Sequence, residues 1–94
     1  MLSVLSFDSV DEAIALANGT RYGLGASIWS YNLDNVFYIA KRLVAGNINV
    51  NGVTGPVVEL PFGGFKESGF GRDRSLHAID KYSDLKNVII RTAR

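Results

Sequence analysis

The sequence contains no cysteine. Disulfides, thiolate metal sites and any cysteine nucleophile are therefore excluded from these 94 residues. It contains one histidine, His77, which cannot build a histidine-based zinc site alone. Neither sign of charge dominates. Ten Lys and Arg oppose nine Asp and Glu for a net +1, and the longest basic run is the pair Lys41–Arg42. Binding to nucleic acid through phosphate neutralisation is not expected from such a pattern. No apolar run is long enough to span a bilayer. Met1 to Phe7 is apolar but too short for a signal peptide, and no basic region precedes it. The expectation is a cytoplasmic or otherwise reducing location, with neither membrane nor nucleic acid as partner.

What is present has ordinary globular composition: 47% of residues are apolar and 20% charged. The length fits a single domain, residues 1–94, with little stability to spare. Leu2 to Phe7 has the length and alternation of a strand. Ser9-Val10-Asp11-Glu12 matches a capping box, and Val10, Ala13, Ile14 and Ala17 then fall on one helical face. Asn18-Gly19 predicts the stop, with glycine in the left-handed conformation that helix ends favour. Leu24 to Ser30 reads as a second strand. Asn32 is the predicted cap of a helix whose apolar stripe is Leu33, Val36, Phe37, Ala40, Leu43 and Val44, ended by Gly46. Asn47 to Asn51 is a short third strand. A last helix is expected over Asp73 to Tyr82, and a last strand over Leu85 to Thr92, before a frayed Ala93-Arg94. The order β-α-β-α-β-loop-α-β predicts an α/β fold with a mostly parallel sheet and flanking helices.

The stretch Asn51 to Arg72 differs from the rest. It holds six of the ten glycines and both prolines, which rules out one continuous helix or strand. Its interleaved Val57, Val58, Leu60, Phe62, Phe65 and Phe70 argue against disorder. Neither Gly23-Leu24-Gly25 nor Gly69-Phe70-Gly71 completes a dinucleotide-binding G-x-G-x-x-G, and no G-K-[ST] occurs. Within Leu60–Asp73, LPFGGFKESGFGRD, Pro61 stiffens the backbone, Gly63-Gly64 permit a close approach, and Phe62 and Phe65 supply apolar walls. Two readings fit: a loop lining a pocket for a small flat ligand, or a packed surface loop with none.

Other reactive side chains have weak sequence support. His77 stands three before Asp80, a spacing that could orient an imidazole but more simply describes an exposed helix face. Glu59 and Glu67 have no spacing that makes them a catalytic pair. Ser68 has no base beside it. Trp29 reads as a core or inter-element residue. Asn47, Asn49 and Asn51 share one strand face, either at a buried polar seam or against solvent.

LPFGGFKESGFGRD resembles the PFGG-[YF]-K-x-SG-x-GR[DE] signature of the aldehyde dehydrogenase superfamily. FDSVDEAIALANGTRYGLGASIWS is similar to the family's D-E-A-I-x-x-A-N-x-[TS]-x-Y-G-L segment. AGNINVNG resembles its A-G-x-[VI]-x-[VI]-N, and SLHAIDKYSDLKNVII its closing helix and strand. The resemblance runs from Val4 to Ile90 in the family's order. The run Gly-Arg-Asp-Arg-Ser-Leu-His-Ala resembles the amino-aldehyde branch, which includes the γ-glutamyl-aminobutyraldehyde dehydrogenases. The resemblance implies a C-terminal part of a catalytic domain. It puts Phe62 beside the substrate and nicotinamide region, with Gly63 and Gly64 packed close there. It makes Gly52–Leu60 a lining of the aldehyde entrance, and Leu85–Ile90 a strand of an inter-subunit oligomerisation sheet.

That family attacks a small aldehyde with a cysteine thiolate, passes hydride to NAD(P)+, and hydrolyses the thioester with a glutamate-activated water. Here the cysteine, the E-L-G-G-K base segment, the dinucleotide-binding domain and the E-x-F-G-P-V element are all missing, and the chain begins where the last of these should end. The expectation is a chain with no catalytic residue and no NAD(P) bound on its own, partnered by further copies or by a missing N-terminal half. The rival expectations are a stand-alone binding or assembly module, and a decayed fragment without a role.

Overall fold

A computed structural model describes residues 1–53 and 57–92. The elements are α1 (Val10–Asn18), β1 (Tyr22–Gly23), β2 (Gly25–Ile28), α2 (Leu33–Arg42), β3 (Asn47–Val50), β4 (Phe65–Lys66) and α3 (Ala78–Tyr82). The central unit is β2-α2-β3. Its two strands pair in parallel, with Gly25 opposite Asn47 and Ile28 opposite Val50. The expected parallel sheet is thus reduced to one two-stranded ladder. A second ladder, antiparallel, joins β1 to β4.

Local signals placed the two long helices. Ser9 Oγ accepts from the Glu12 amide at 3.1 Å, and Asn32 Oδ1 accepts from the Asn35 amide at 3.1 Å, so both caps satisfy an otherwise free donor. Glu12 Oε2 accepts from the amide of Asp8 at 2.8 Å, one residue earlier than the capping box predicts. Gly19, at φ −73°, is not left-handed. α2 ends at Arg42, before Leu43 and Val44 of the predicted stripe and four residues short of Gly46.

Where helix packs on helix, polar side chains supply much of the joint. Tyr38 Oη donates to Asp11 Oδ1 at 2.7 Å, linking α2 to α1. That bond to a carboxylate raises the Tyr38 pKa above its ordinary value. Asn18 links the two helix ends: its Nδ2 donates to the Arg42 carbonyl at 2.9 Å, and its Oδ1 accepts from the Val44 amide at 2.9 Å. Asn18→Ala removes both bonds and is expected to destabilise the chain by about 1–2 kcal/mol. Urea denaturation is the check, and an unchanged midpoint would refute the assignment.

Only Ile14, Ile28 and Val36 are buried apolar residues among those described, one from each of α1, β2 and α2. The molecule is elongated, 76 × 28 × 25 Å, with a radius of gyration of 19.4 Å against about 12 Å for a compact chain of this length. It exposes 8212 Å², where a compact 10.2 kDa protein exposes about 5300 Å².

Several expectations are corrected by this openness. Met1–Phe7 and Leu85–Thr92 form no strand, and both segments are exposed. A strand exists only through its partner, and neither segment has one here. The last helix is limited to Ala78–Tyr82, because Arg74 and Ser75 adopt positive φ of 62° and 55°. Trp29 is 69% exposed rather than in a core. Leu33 and Phe37, on the predicted apolar stripe of α2, are also exposed. Thr54 to Pro56 of the predicted entrance segment, and Ala93-Arg94, lie outside the described residues. No helix among the described residues is long and apolar enough to cross a membrane.

Candidate functional site

The glycine-rich stretch folds into a closed loop. The amides of Phe62 and Asp73 each donate to the other's carbonyl, at 2.8 and 2.7 Å, which pins the two ends together. Inside, the Ser68 amide donates to the Phe65 carbonyl and the Gly69 amide to the Lys66 carbonyl, each at 3.2 Å. Gly69 and Gly71 take φ of 109° and 85°, conformations that side chains disfavour. Arg72 Nη1 donates to the carbonyls of Gly64 and Gly71 at 3.1 and 2.8 Å and braces the loop from within.

The loop is fastened to the rest of the fold at a junction of glycines. Gly64 is buried, and a Cβ added there would stand 2.6 Å from Ser68 Cβ and 3.3 Å from Leu24 Cα. A Cβ at Gly46 would overlap the Gly63 carbonyl. Asn47 completes the junction, its Nδ2 donating to the carbonyls of Gly63 at 2.9 Å and Leu24 at 3.1 Å. Ser68 Oγ accepts from the Gly23 amide at 2.9 Å. That half-buried hydroxyl holds the loop to β1 and has no base on it to make it a nucleophile.

Phe62, Gly63 and Gly64, the three residues the resemblance singles out, share one shallow cavity of about 150 Å³ with Leu24, Phe70 and Lys81. Phe62 is 38% exposed, with the Arg74 guanidinium 5.1 Å from its ring centroid, within cation–π range. Lys81 Nζ donates to Asp73 Oδ1 at 3.0 Å, and that bond, then the carboxylate charge, raises the lysine pKa. The cavity therefore has an aromatic wall, a glycine backbone and a neutralised ion pair. Its other polar side chain is Ser68, whose Oγ already accepts from the Gly23 amide.

The remaining candidates are dispersed. His77 and Asp80 are exposed, and among the described residues no hydrogen bond joins their side chains. Glu67 is exposed and lies 3.5 Å from Arg21 Nε, and Glu59 is exposed. The asparagine strand divides. Asn47 serves the junction, while Asn51 bridges to Ser30, accepting from its amide and donating to its carbonyl at 2.9 Å. Sequence reasoning missed Gly46, Asn18, Lys66 and Arg72 as supports of the site. Gly46, Asn18 and Lys66 meet backbone groups 17 to 48 residues away, which no motif spacing encodes, and Arg72 reaches the nearer carbonyls of Gly71 and Gly64.

Residues 1–88 match the aldehyde dehydrogenase family. The NADP/NAD-dependent aldehyde dehydrogenase PuuC of Escherichia coli is 43% identical over 96% of the chain. The aminoacetaldehyde dehydrogenase of Pseudomonas aeruginosa is 48% identical over the same share. The chain spans 18% of the length of each. Its structure superimposes with a TM-score of 0.84 on a P. syringae indole-3-acetaldehyde dehydrogenase variant solved with NAD+ and IAA, 54% identical, over 90% of this chain and 17% of that one.

Proposed function

The chain belongs to the aldehyde dehydrogenase family, and from that membership we propose that residues 1–94 form one unit supplying a wall of the aldehyde site within a larger dehydrogenase assembly. The reaction of that assembly is oxidation of a small aldehyde to its acid with NAD(P)+. The observation that carries the reading is the meeting of Phe62, Gly63 and Gly64 on a single cavity. Phe62 offers a flat apolar face to a substrate chain, and the glycines let that face stand close to reacting atoms.

NAD(P) does not fit the Phe62–Gly64 cavity by itself. The backbones of Gly46, Gly63 and Gly64 are packed, Gly46 on Gly63 and Gly64 on Leu24, which leaves them no approach to a pyrophosphate. The cavity, about 150 Å³, is below the roughly 300–1,000 Å³ of ordinary ligand pockets. No catalytic step is assigned to this chain, because it has no thiol. Leu85–Ile90 is the segment proposed to pair across a subunit boundary, since its apolar side chains are exposed and its backbone is unpaired among the described residues. The substrate class is read as an amino aldehyde. It is supported by the Gly71–Ala78 run and by the relative named for aminoacetaldehyde.

The test has two arms. The purified chain, given amino aldehydes and NAD(P)+, is expected to produce no reduced cofactor. Grafted into PuuC in place of its matched segment, the chain is expected to support turnover, and Phe62→Ala in that chimera should raise KM about tenfold, the equivalent of part of one aromatic contact. Turnover by the chain alone, or an unchanged KM in the folded Phe62→Ala chimera, would overturn the reading. A second reading, a self-associating assembly module, is favoured by the surplus exposed surface. A clean monomer in sedimentation would count against it.

A further inference from the structure

We propose that Lys66 is a positioning residue for the Phe62–Gly64 wall, holding it by clamping the C-terminal end of α1; this rests on the function proposed above.

Three observations carry the inference. Lys66 adopts φ 53°, a left-handed conformation that glycine would take without strain. A lysine kept there is there for its side chain. Its Nζ donates to the carbonyls of Asn18 at 2.9 Å and Thr20 at 3.0 Å, groups 46 to 48 residues away in sequence. The Asn18 carbonyl is an acceptor left over at the negative pole of α1, the Thr20 carbonyl lies two residues beyond the helix, and α1 has no basic residue of its own in its last turn.

The contact closes a ring. From the α1 end, the Asn18 side chain holds the carbonyl of Arg42 and the amide of Val44. Two residues on, Gly46 packs on the Gly63 carbonyl. From Gly63 the chain runs to Lys66, which pairs with Tyr22 and returns to Asn18. Beside it the Glu67 amide donates to the Arg21 carbonyl at 2.9 Å. Without the ammonium, the β1–β4 ladder is two residues long, too short to fix the loop by itself.

The experiment is amide hydrogen exchange on the full 94-residue chain with three variants. Lys66→Met removes the ammonium and keeps the strain. Lys66→Gly removes both. Lys66→Arg keeps a donor. Exchange at the Gly23, Glu67 and Phe62 amides is expected to rise about tenfold in Lys66→Met and Lys66→Gly, the size of one charge-assisted bond lost. It should stay within about twofold of the parent in Lys66→Arg, while the Val36 amide in α2, bonded to the Asn32 carbonyl, stays unchanged in all three. Unchanged exchange at those amides in Lys66→Met, slower exchange in Lys66→Gly, failure of Lys66→Arg to preserve protection, or no protection in the parent chain would each overturn the proposal. The measurement needs no turnover. An inactive PuuC chimera would therefore sink the functional reading and leave the Lys66 result standing.

Discussion

Gly46→Ala is expected to unseat the loop that holds Phe62, at a cost of about 3 kcal/mol or more, the upper end of what overpacking does. The new methyl group would occupy the position of the Gly63 carbonyl, which is backbone and cannot rotate aside. Separating the two strands of chain also breaks the Asn47 bond to that carbonyl. With three buried apolar side chains among the described residues, the chain has little reserve to absorb such a loss. Urea denaturation should show a large drop in stability or no folded baseline at all. Gly52→Ala is the control, because a Cβ there would meet only the Val50 carbonyl at 4.0 Å. Equal behaviour of the two variants would mean that the glycine junction is not the seat of the fold.

Asn47→Asp is expected to be nearly as damaging at neutral pH and much less so in acid. The shape is conserved, but a donor amide facing two carbonyl oxygens becomes a carboxylate facing them. The loss of both bonds and the repulsion should cost about 2–3 kcal/mol at pH 7. The charged form is disfavoured only in the folded state, so the introduced carboxyl has a folded pKa above its unfolded value of about 3.9. Between the two values the native state binds more protons, and stability falls as pH rises. Below the unfolded value the group is neutral in both states, and one donor is restored. Urea midpoints at acid and neutral pH, each referred to the parent chain, should therefore converge at low pH. A deficit that does not change with pH would show that Asn47 acts by packing rather than as a hydrogen-bond donor.

Much of the fold was legible because its determinants are local. The Ser9 and Asn32 caps and the body of α1 depend on residues within a few positions of each other and formed where the pattern put them, whereas α2 stopped at Arg42, short of its predicted stripe. Leu2–Phe7 and Leu85–Thr92 have strand-like patterns as good as that of Asn47–Asn51. Asn47–Val50 found a partner in Gly25–Ile28, and the two terminal segments found none. Periodicity identifies a face that wants burial, not the surface that will bury it. Trp29 and Phe37 show the same limit from the side-chain direction: both are large and apolar, and both stand in solvent.

For the site, the division is similar. The motif LPFGGFKESGFGRD pointed to Phe62, Gly63 and Gly64, three consecutive residues, and the fold brings Leu24 and Lys81 to the cavity they line. The motif did not say what would hold them there. Gly46 lies 17 residues before Gly63, and Lys66 reaches back to a helix end 48 residues earlier. Such contacts depend on where backbone carbonyls end up in space.

By itself the sequence determined the family, through several spaced motifs in a fixed order, and it determined that these 94 residues carry no thiol. It also determined both capped helices, because capping and amphipathic spacing are short-range chemistry. Only the tertiary structure decided which glycines are irreplaceable, which carbonyls Asn47 and Lys66 satisfy, and which apolar faces are left without cover. Those outcomes depend on close packing between segments distant along the chain, and a one-dimensional pattern does not specify that geometry.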